Sequence, residues 1–204
     1  MPTKSCAEFP YTLLMVEGDT EILFYKRIKE TYFRNARCSN PKNLHGNWSI
    51  NTKVLDKTTA HLNAHPDTEF IICICIDRES RSGKAPIDME PIKNELNCYP
   101  NIKTENIRLY EAVQDIESWF FHDIKGIYEF LRFPRNSRKI RKYMPVEKFN
   151  HLDLSRLFKQ GKKEYRKGNA SENFINHLNL EVIRKKSKVL NDFCTFMEET
   201  YNQT

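Results

Sequence analysis

The chain has 204 residues, of which 39% are hydrophobic and 29% charged, and its formal net charge is +6. This composition excludes a disordered or collagen-like chain, and the length suits one domain or one domain with a helical extension. No apolar run approaches the roughly 20 residues that a membrane span needs, and the first ten residues lack the apolar stretch of a signal peptide, so we expect a cytoplasmic protein without a membrane partner.

The first part of the chain alternates strand and helix patterns. An apolar run over 11–16 predicts a buried strand, and helical spacing predicts a helix over 19–33. Residues 34–47 are loop-like because Asn, Pro and Gly recur there. Alternating apolar residues predict a second strand over 48–55, and a short helix follows over 58–65.

The same alternation continues to residue 133. Residues 69–77 give the strongest strand pattern in the chain, and a polar loop and a helix over 88–98 follow it. A fourth strand is predicted over 106–113, and one long amphipathic helix starts near Asp115. Strands that alternate with helices imply an α/β fold with a mostly parallel four-stranded sheet flanked by helices.

The composition changes after Phe133, where the chain becomes basic and helical. Between Arg135 and Gly168 there are twelve Lys or Arg residues and three acids. Closing helices are predicted over 171–177 and 182–201. We therefore predict an α/β domain over 8–133 and a basic helical extension over 134–204 packed on it. The charge asymmetry indicates a polyanionic partner, with a solvated helical surface as the alternative.

Acidic residues follow three of the predicted strands. Glu17 follows the first strand, Asp77 and Glu79 follow the third, and Asp115 and Glu117 follow the fourth. The carboxyl ends of parallel strands meet at one edge of a sheet, where α/β proteins bind their ligands. Carboxylates brought together repel unless a cation such as Mg²⁺ neutralises them. Each acid alone could instead stabilise a helix N-terminus.

Three motifs in the predicted order resemble the Toprim domain. V-E-G-D-T-E at 16–21 resembles its first motif, an acid at a strand end followed by Gly. I-D-R-E-S at 76–80 is similar to its D-x-D motif, with Glu79 in place of the second Asp. D-I-E-S-W-F-F-H at 115–122 resembles the E-x-W motif of small OLD-like Toprim proteins of bacterial defence. The resemblance covers roughly residues 11–133 and implies a Toprim-like, Rossmann-like sheet.

The resemblance also implies a function, which is metal-dependent hydrolysis of nucleic-acid phosphodiester bonds by an antiviral defence nuclease. It implies Mg²⁺ or Mn²⁺ as cofactor, with two ions. The implied catalytic residues are Glu17, Asp77, Glu79 and Glu117, and the implied metal ligands are these four together with Glu21. Asp115 and Asp88 are further candidate site acids. The sequence contains no P-loop motif, so an ATPase of the kind that works with OLD-like proteins would be a separate partner.

The basic segment supplies the predicted contacts to nucleic acid, with DNA preferred to RNA as the partner. Lys and Arg side chains would contact phosphates without reading bases. These contacts are Arg135, Arg138, Lys139, Arg141, Lys142, Lys162, Lys163, Arg166 and Lys167. Tyr143 and Tyr165 are interpreted as packing residues, with base stacking as the alternative. The run 184–188 could bring a further cation to the acids.

Two other functions stay open from the sequence. One is a Toprim module that binds nucleic acid or a partner without cleaving, motivated by Glu79 in place of Asp. The other is a ribonuclease that processes structured RNA. The sequence leaves the oligomeric state open. His61 and His65 have the i, i+4 spacing of metal ligands, but without a third ligand we interpret them as residues of a surface helix.

Overall fold

The computed structural model describes residues 9–78, 86–134 and 140–201. Its core is one four-stranded sheet in which every neighbouring pair of strands is parallel, in the order β2-β1-β3-β4. The strands are β1 (Tyr11–Val16), β2 (Lys42–Asn43), β3 (Phe70–Asp77) and β4 (Ile102–Ala112). The predicted α/β class and parallel sheet are confirmed, and β1 has its predicted bounds.

Helices cover both faces of the sheet. They are α1 (Asp19–Tyr32), α2 (Ile50–Ala64), α3 (Met89–Leu96), α4 (Ile116–Phe120), α5 (Ile124–Phe130), α6 (His151–Gln160), α7 (Glu172–His177), α8 (Leu180–Lys186) and α9 (Lys188–Tyr201). Alternate residues of a strand point to opposite faces. Leu13 and Met15 therefore pack with α2 and α3, whereas Leu14 and Val16 pack with α1 and α4–α9.

The C-terminal helices share a core with the N-terminal part of the chain. Phe193 of α9 is buried, and its ring centroid lies 5.5 Å from that of Tyr25 in α1 and 5.2 Å from that of Tyr110 in β4. Beyond residue 140, the regular elements of the described residues are α-helices and 3-10 turns, with no strand among them. The helical character predicted for this region agrees with these elements, while the domain boundary at 133/134 stays a prediction.

The strand predicted over 48–55 is wrong, because these residues begin α2. The buried side chains of α2 are Ile50, Val54, Thr58 and Leu62, which recur every four residues, as on one face of a helix. Trp48 made the segment look alternating, but its side chain is exposed. The second strand in chain order is instead the two-residue β2, which pairs with the outer side of β1 and lies inside the segment predicted as loop.

The long helix predicted from Asp115 is divided into α4, a 3-10 turn over 121–123, and α5. Asp123 starts α5, since its Oδ1 accepts a hydrogen bond from the backbone N of Gly126 at 3.2 Å. A side chain that binds the backbone in this way ends one helix and begins another. The closing helix predicted over 182–201 is likewise divided, at Ser187. Within the described ranges, no helix is both long and apolar enough to cross a membrane.

Candidate functional site

A cavity of about 570 Å³ opens at the carboxyl edge of the sheet, and we call it the acidic cavity. Five acids line it: Glu17 after β1, Asp19 and Glu21 in α1, Asp77 at the end of β3, and Asp115 after β4. The lining from the C-terminal half includes Asn150, His151, Lys167 and Gly168. The size is that of a small-molecule or nucleotide pocket. The parallel sheet thus brings together acids that are distant in the sequence.

Glu17 and Gly18 have distinct structural roles at the end of β1. The Oε2 atom of Glu17 accepts a hydrogen bond from the backbone N of Asp77 at 3.0 Å, which ties the ends of β1 and β3. A Cβ atom on Gly18 would lie 3.0 Å from Oε2 of Glu21. The glycine therefore leaves the space that the Glu21 carboxyl group occupies, so the E-G pair holds two acids close together.

The carboxyl groups of Glu21 and Asp77 are largely shielded from water. Each is only 6% exposed. Burial, together with repulsion from Glu117 and Glu17, raises the pKa of Glu21 to about 7. Burial and repulsion from the neighbouring glutamates also raise the pKa of Asp77 well above its ordinary value. In the absence of a cation, these two groups therefore hold protons at a pH where free carboxyl groups are charged.

Glu117 lies behind the cavity and is 0% exposed. Its Oε1 atom accepts a hydrogen bond from the Tyr165 hydroxyl at 2.8 Å, and its Oε2 atom lies 3.5 Å from Nζ of Lys167. Burial raises the pKa of Glu117 although Lys167 opposes the shift. Trp119 of the E-x-W motif packs edge-on against Phe24 of α1, with 6.3 Å between ring centroids. The tryptophan thus fixes α4, which carries Glu117, against α1.

Lys167 brings a positive charge close to the buried acids, with its Nζ 3.5 Å from Oε2 of Glu117. Burial opposes its charge, but attraction to Glu117 and to the cavity acids Asp115, Asp77 and Glu21 outweighs burial and raises the pKa of Lys167. The next residue, Gly168, has φ of +70°, a backbone conformation that favours glycine. Its backbone N donates a hydrogen bond to Oγ1 of Thr20 in α1 at 3.0 Å. This bond holds Lys167 over the cavity.

The two further candidates, Asp115 and Asp88, act as helix caps. Oδ1 of Asp115 accepts a hydrogen bond from the backbone N of Ser118 at 3.2 Å, and its Oδ2 lies 2.8 Å from both the backbone N and the Nδ1 of His151. Asp88 caps α3 by accepting a hydrogen bond from the backbone N of Glu90 at 3.2 Å. Only Asp115 belongs to the acidic cavity.

The carboxyl oxygens at the site are of the type that binds a hard cation. Two buried carboxyl oxygens, Oδ1 of Asp77 and Oε2 of Glu117, accept no hydrogen bond. Oxygen atoms of this sort are the preferred ligands of Mg²⁺ and Mn²⁺. Over 9–78, 86–134 and 140–201, however, no three Asp, Glu, His or Cys side chains are grouped so that they could hold a metal ion. Binding would therefore need these side chains to move closer or Glu79, which lies outside the described residues, to contribute.

The predicted nucleic-acid contacts that can be located are exposed at the surface. They are Arg141, Lys142, Lys162, Lys163, Arg166 and Lys167. The other three, Arg135, Arg138 and Lys139, lie outside the described residues. Nζ of Lys163 donates to the backbone O of Phe130 at 2.8 Å, and Arg166 forms an ion pair with Glu164 at 2.6 Å. Lys167 alone of the six lines the acidic cavity.

Several contacts at the site were not predicted from the sequence. Lys167 was predicted as one of many phosphate contacts, and His151 was not predicted as a site residue. The hypothesis that the run 184–188 supplies a cation to the acids was wrong for Arg184, which pairs with Glu198 at 2.6 Å, and for Lys186, whose Nζ donates to the backbone O of His122 at 2.8 Å. The one sequence signal for Lys167 was the glycine that follows it, as Gly18 follows Glu17.

Comparisons with known proteins identify a family without assigning an activity. No curated protein and no solved structure gives a significant match to the chain. A family model described as a domain of unknown function, DUF4276, matches residues 16–198. The match spans the cavity acids and continues through the C-terminal helices. Because it covers most of the sequence, the chain belongs to the DUF4276 family.

Proposed function

We propose that the protein is a metal-dependent nuclease that hydrolyses phosphodiester bonds at the acidic cavity. The observation that carries the proposal is the group of buried carboxyls Glu21, Asp77 and Glu117, two of which have oxygens without a hydrogen bond. A fold that only needed stability would gain by replacing such a group with apolar residues. Buried acids with strongly raised pKa values in a cavity are typical of functional sites. The Toprim resemblance of the three motifs supports the same activity.

The residues that would hold Mg²⁺ or Mn²⁺ are Glu17, Glu21, Asp77 and Glu117, with Glu79 as a further predicted ligand. A bound ion would polarise the scissile phosphate and lower the pKa of a water molecule. The protein's own part is to hold the carboxyls through the strand ends and to exclude bulk water from them. Lys167, at 3.5 Å from Glu117, would contact a phosphate oxygen of the substrate.

The basic surface gives a path for a nucleic-acid strand. Helix α6 begins at the cavity with His151 and, with ten residues, extends about 15 Å away from it. The chain then returns through Lys162, Lys163 and Arg166 to Lys167 at the cavity. These positive charges would contact phosphates without sequence preference. The resemblance also motivates a separate ATPase partner and a role in antiviral defence, and both stay predictions.

The test is a cleavage assay with single- and double-stranded DNA and RNA in Mg²⁺, Mn²⁺ or EDTA. We expect cleavage that requires the metal and disappears in Glu17→Ala, because Glu17 also ties Asp77 in place. Glu90→Ala, which changes an exposed acid outside the cavity, is the matched control and should cleave normally. A well-folded wild-type protein that cleaves none of the four substrates under any metal condition would contradict the proposal.

A second candidate function is a module that binds nucleic acid without cleaving it. Two observations favour it: the described residues contain no ready three-ligand metal group, and Lys167 already compensates part of the charge of Glu117. This candidate predicts binding that weakens with salt and does not depend on a metal. The cleavage assay separates the two functions, since only the nuclease produces metal-dependent fragments.

Trp48 should report binding of a single strand. Its side chain is 81% exposed, and it lies two residues after Gly46, which lines the cavity, so their Cα atoms are at most about 7 Å apart. Exposed aromatic rings stack on unpaired bases with about 1–3 kcal/mol per base. We expect single-stranded oligonucleotides to quench Trp48 fluorescence and Trp48→Ala to weaken binding about tenfold, as 1.4 kcal/mol would.

The other tryptophan, Trp119, is buried and gives the background signal in Trp48→Ala. Met144→Ala is a suitable control, since it removes another exposed apolar side chain that does not line the cavity. Equal affinity of wild type and Trp48→Ala for single strands, measured by anisotropy, would show that Trp48 makes no such contact.

A further inference from the structure

His151 is held at the acidic cavity by a carboxylate. It lies at the first position of α6, lines the cavity, and its side chain is 41% exposed. Its Nδ1 atom lies 2.8 Å from Oδ2 of Asp115. Asn150, the preceding residue, forms a capping box with Asp153 and so fixes where α6 begins. The position of the imidazole ring is therefore set from two sides.

The contact with Asp115 also sets the tautomer of the ring. Oδ2 of Asp115 accepts a hydrogen bond from the backbone N of His151 at 2.8 Å, so this oxygen acts as an acceptor and Nδ1 carries the proton that it receives. Nε2 is then the ring atom left for a ligand, and no residue of the described ranges binds it.

The imidazole is not needed for the fold at this point. Asp115 caps α4 through the backbone N of Ser118 and contacts α6 through the backbone N of His151. Both bonds use main-chain groups, which any residue except proline at position 151 would keep. One carboxylate thus joins the helix that carries Glu117 to the helix that carries His151. The additional side-chain contact of His151 has no comparable structural task.

We propose that His151 is a catalytic general acid of the nuclease, an inference that rests on the proposed function. A water molecule attacks the phosphorus atom and releases its proton to solvent. The bond from phosphorus to the leaving oxygen breaks, and that oxygen takes the proton from Nε2 of His151. The neutral ring then regains a proton from solvent. Asp115 is the positioning residue that keeps Nε2 directed away from the helix junction.

The test compares oxygen and sulfur as the leaving atom. A thiolate leaves without protonation, so an oligonucleotide with bridging sulfur in place of the leaving oxygen at the mapped cleavage site needs no general acid. We expect His151→Asn to slow cleavage of the normal oligonucleotide by about 10²–10⁴-fold. The same variant should cleave the sulfur-bridged oligonucleotide at nearly the wild-type rate. His65→Asn, which changes an exposed histidine outside the cavity, should leave both rates unchanged.

Each outcome of this experiment supports or overturns the proposed role of His151. Equal loss on both substrates, or no loss on either, would overturn the role of His151 while leaving the nuclease proposal intact. A wild-type protein that cleaves neither substrate would overturn the proposed function and this inference with it. Thermal stabilisation by Mg²⁺ gives a readout other than activity: it should be the same in His151→Asn as in wild type, because the acids are unchanged. Its loss in His151→Asn would mean that the substitution disturbs the acids, and would overturn the assignment of a general acid.

Discussion

Asp77→Asn should abolish metal-dependent cleavage and at the same time stabilise the metal-free protein. The amide cannot supply the negative charge that a hard cation requires. Losing several kcal/mol of transition-state stabilisation lowers the cleavage rate by about 10³-fold or more. In EDTA at pH 8, the substitution removes a buried carboxyl group that three glutamates repel and whose Oδ1 has no hydrogen bond. We expect the free energy of unfolding to rise by about 1–3 kcal/mol.

The measurements are initial cleavage rates in Mg²⁺ and urea unfolding in EDTA. Asp88→Asn makes the same chemical change at an exposed helix cap, where Asn is as good as Asp, so neither quantity should change. A variant that loses both activity and stability would indicate that Asp77 is a structural residue. Opposite changes in the two quantities would show that the chain keeps this acid for function at a cost to the fold.

The metal-free protein should become less stable as the pH rises from about 5 to about 8, which is the reverse of ordinary acid denaturation. The folded state keeps protons on buried acids that the unfolded chain has released. For Glu21 the pKa rises from 4.5 to about 7, so its contribution is full below pH 4.5 and is lost as the pH passes 7. This contribution is on the order of 3 kcal/mol, and Asp77 and Glu117 act in the same direction.

Urea unfolding at several pH values in EDTA, on wild type and Glu21→Gln, checks this result. The amide does not titrate, so the variant should show a flatter dependence, whereas Glu90→Gln at the surface should follow wild type. Because Mg²⁺ competes with protons for the same oxygens, its stabilising effect should be larger at pH 8 than at pH 5. Identical pH profiles for wild type and Glu21→Gln would contradict the raised pKa.

The acids at the carboxyl edge of the sheet could be predicted from the sequence, because a buried strand and the acid that follows it are both visible in a short stretch of residues. The buried runs that form β1 and β3 are continuous and apolar, and each ends at an acid. Parallel pairing alone then places Glu17 and Asp77 together, since Val16 pairs with Cys75 in the register. The first part of α2 was missed because Trp48 completed an alternating pattern that hid the four-residue spacing, whereas the second part lies within the helix predicted over 58–65.

The cavity residues from the C-terminal part of the chain could not be predicted from local sequence patterns. Lys167 is separated by 50 residues from its partner Glu117, and His151 by 36 residues from Asp115. Nothing in the pattern of the basic segment distinguishes Lys167, which lines the cavity, from Lys162 and Lys163, which do not. Only the packing of the C-terminal helices on the sheet selects it. That packing depends on long-range contacts, such as those of Phe193 with α1 and β4.

Tyr201 of α9 has a consequence for how the protein can be joined to other molecules. Its hydroxyl lies 2.9 Å from the backbone O of Pro10 and 2.7 Å from Oγ1 of Thr12, and its ring packs near Phe9. The two ends of the described chain are therefore neighbours at the amino edge of the sheet. With about 3.3 Å per strand residue, the six residues of β1 separate that edge from the acidic cavity by roughly 20 Å. An affinity tag or a fused protein joined directly at residue 9 or residue 201 would start on the side opposite the cavity and leave its mouth open, and a short linker between these two residues would allow a circular permutant.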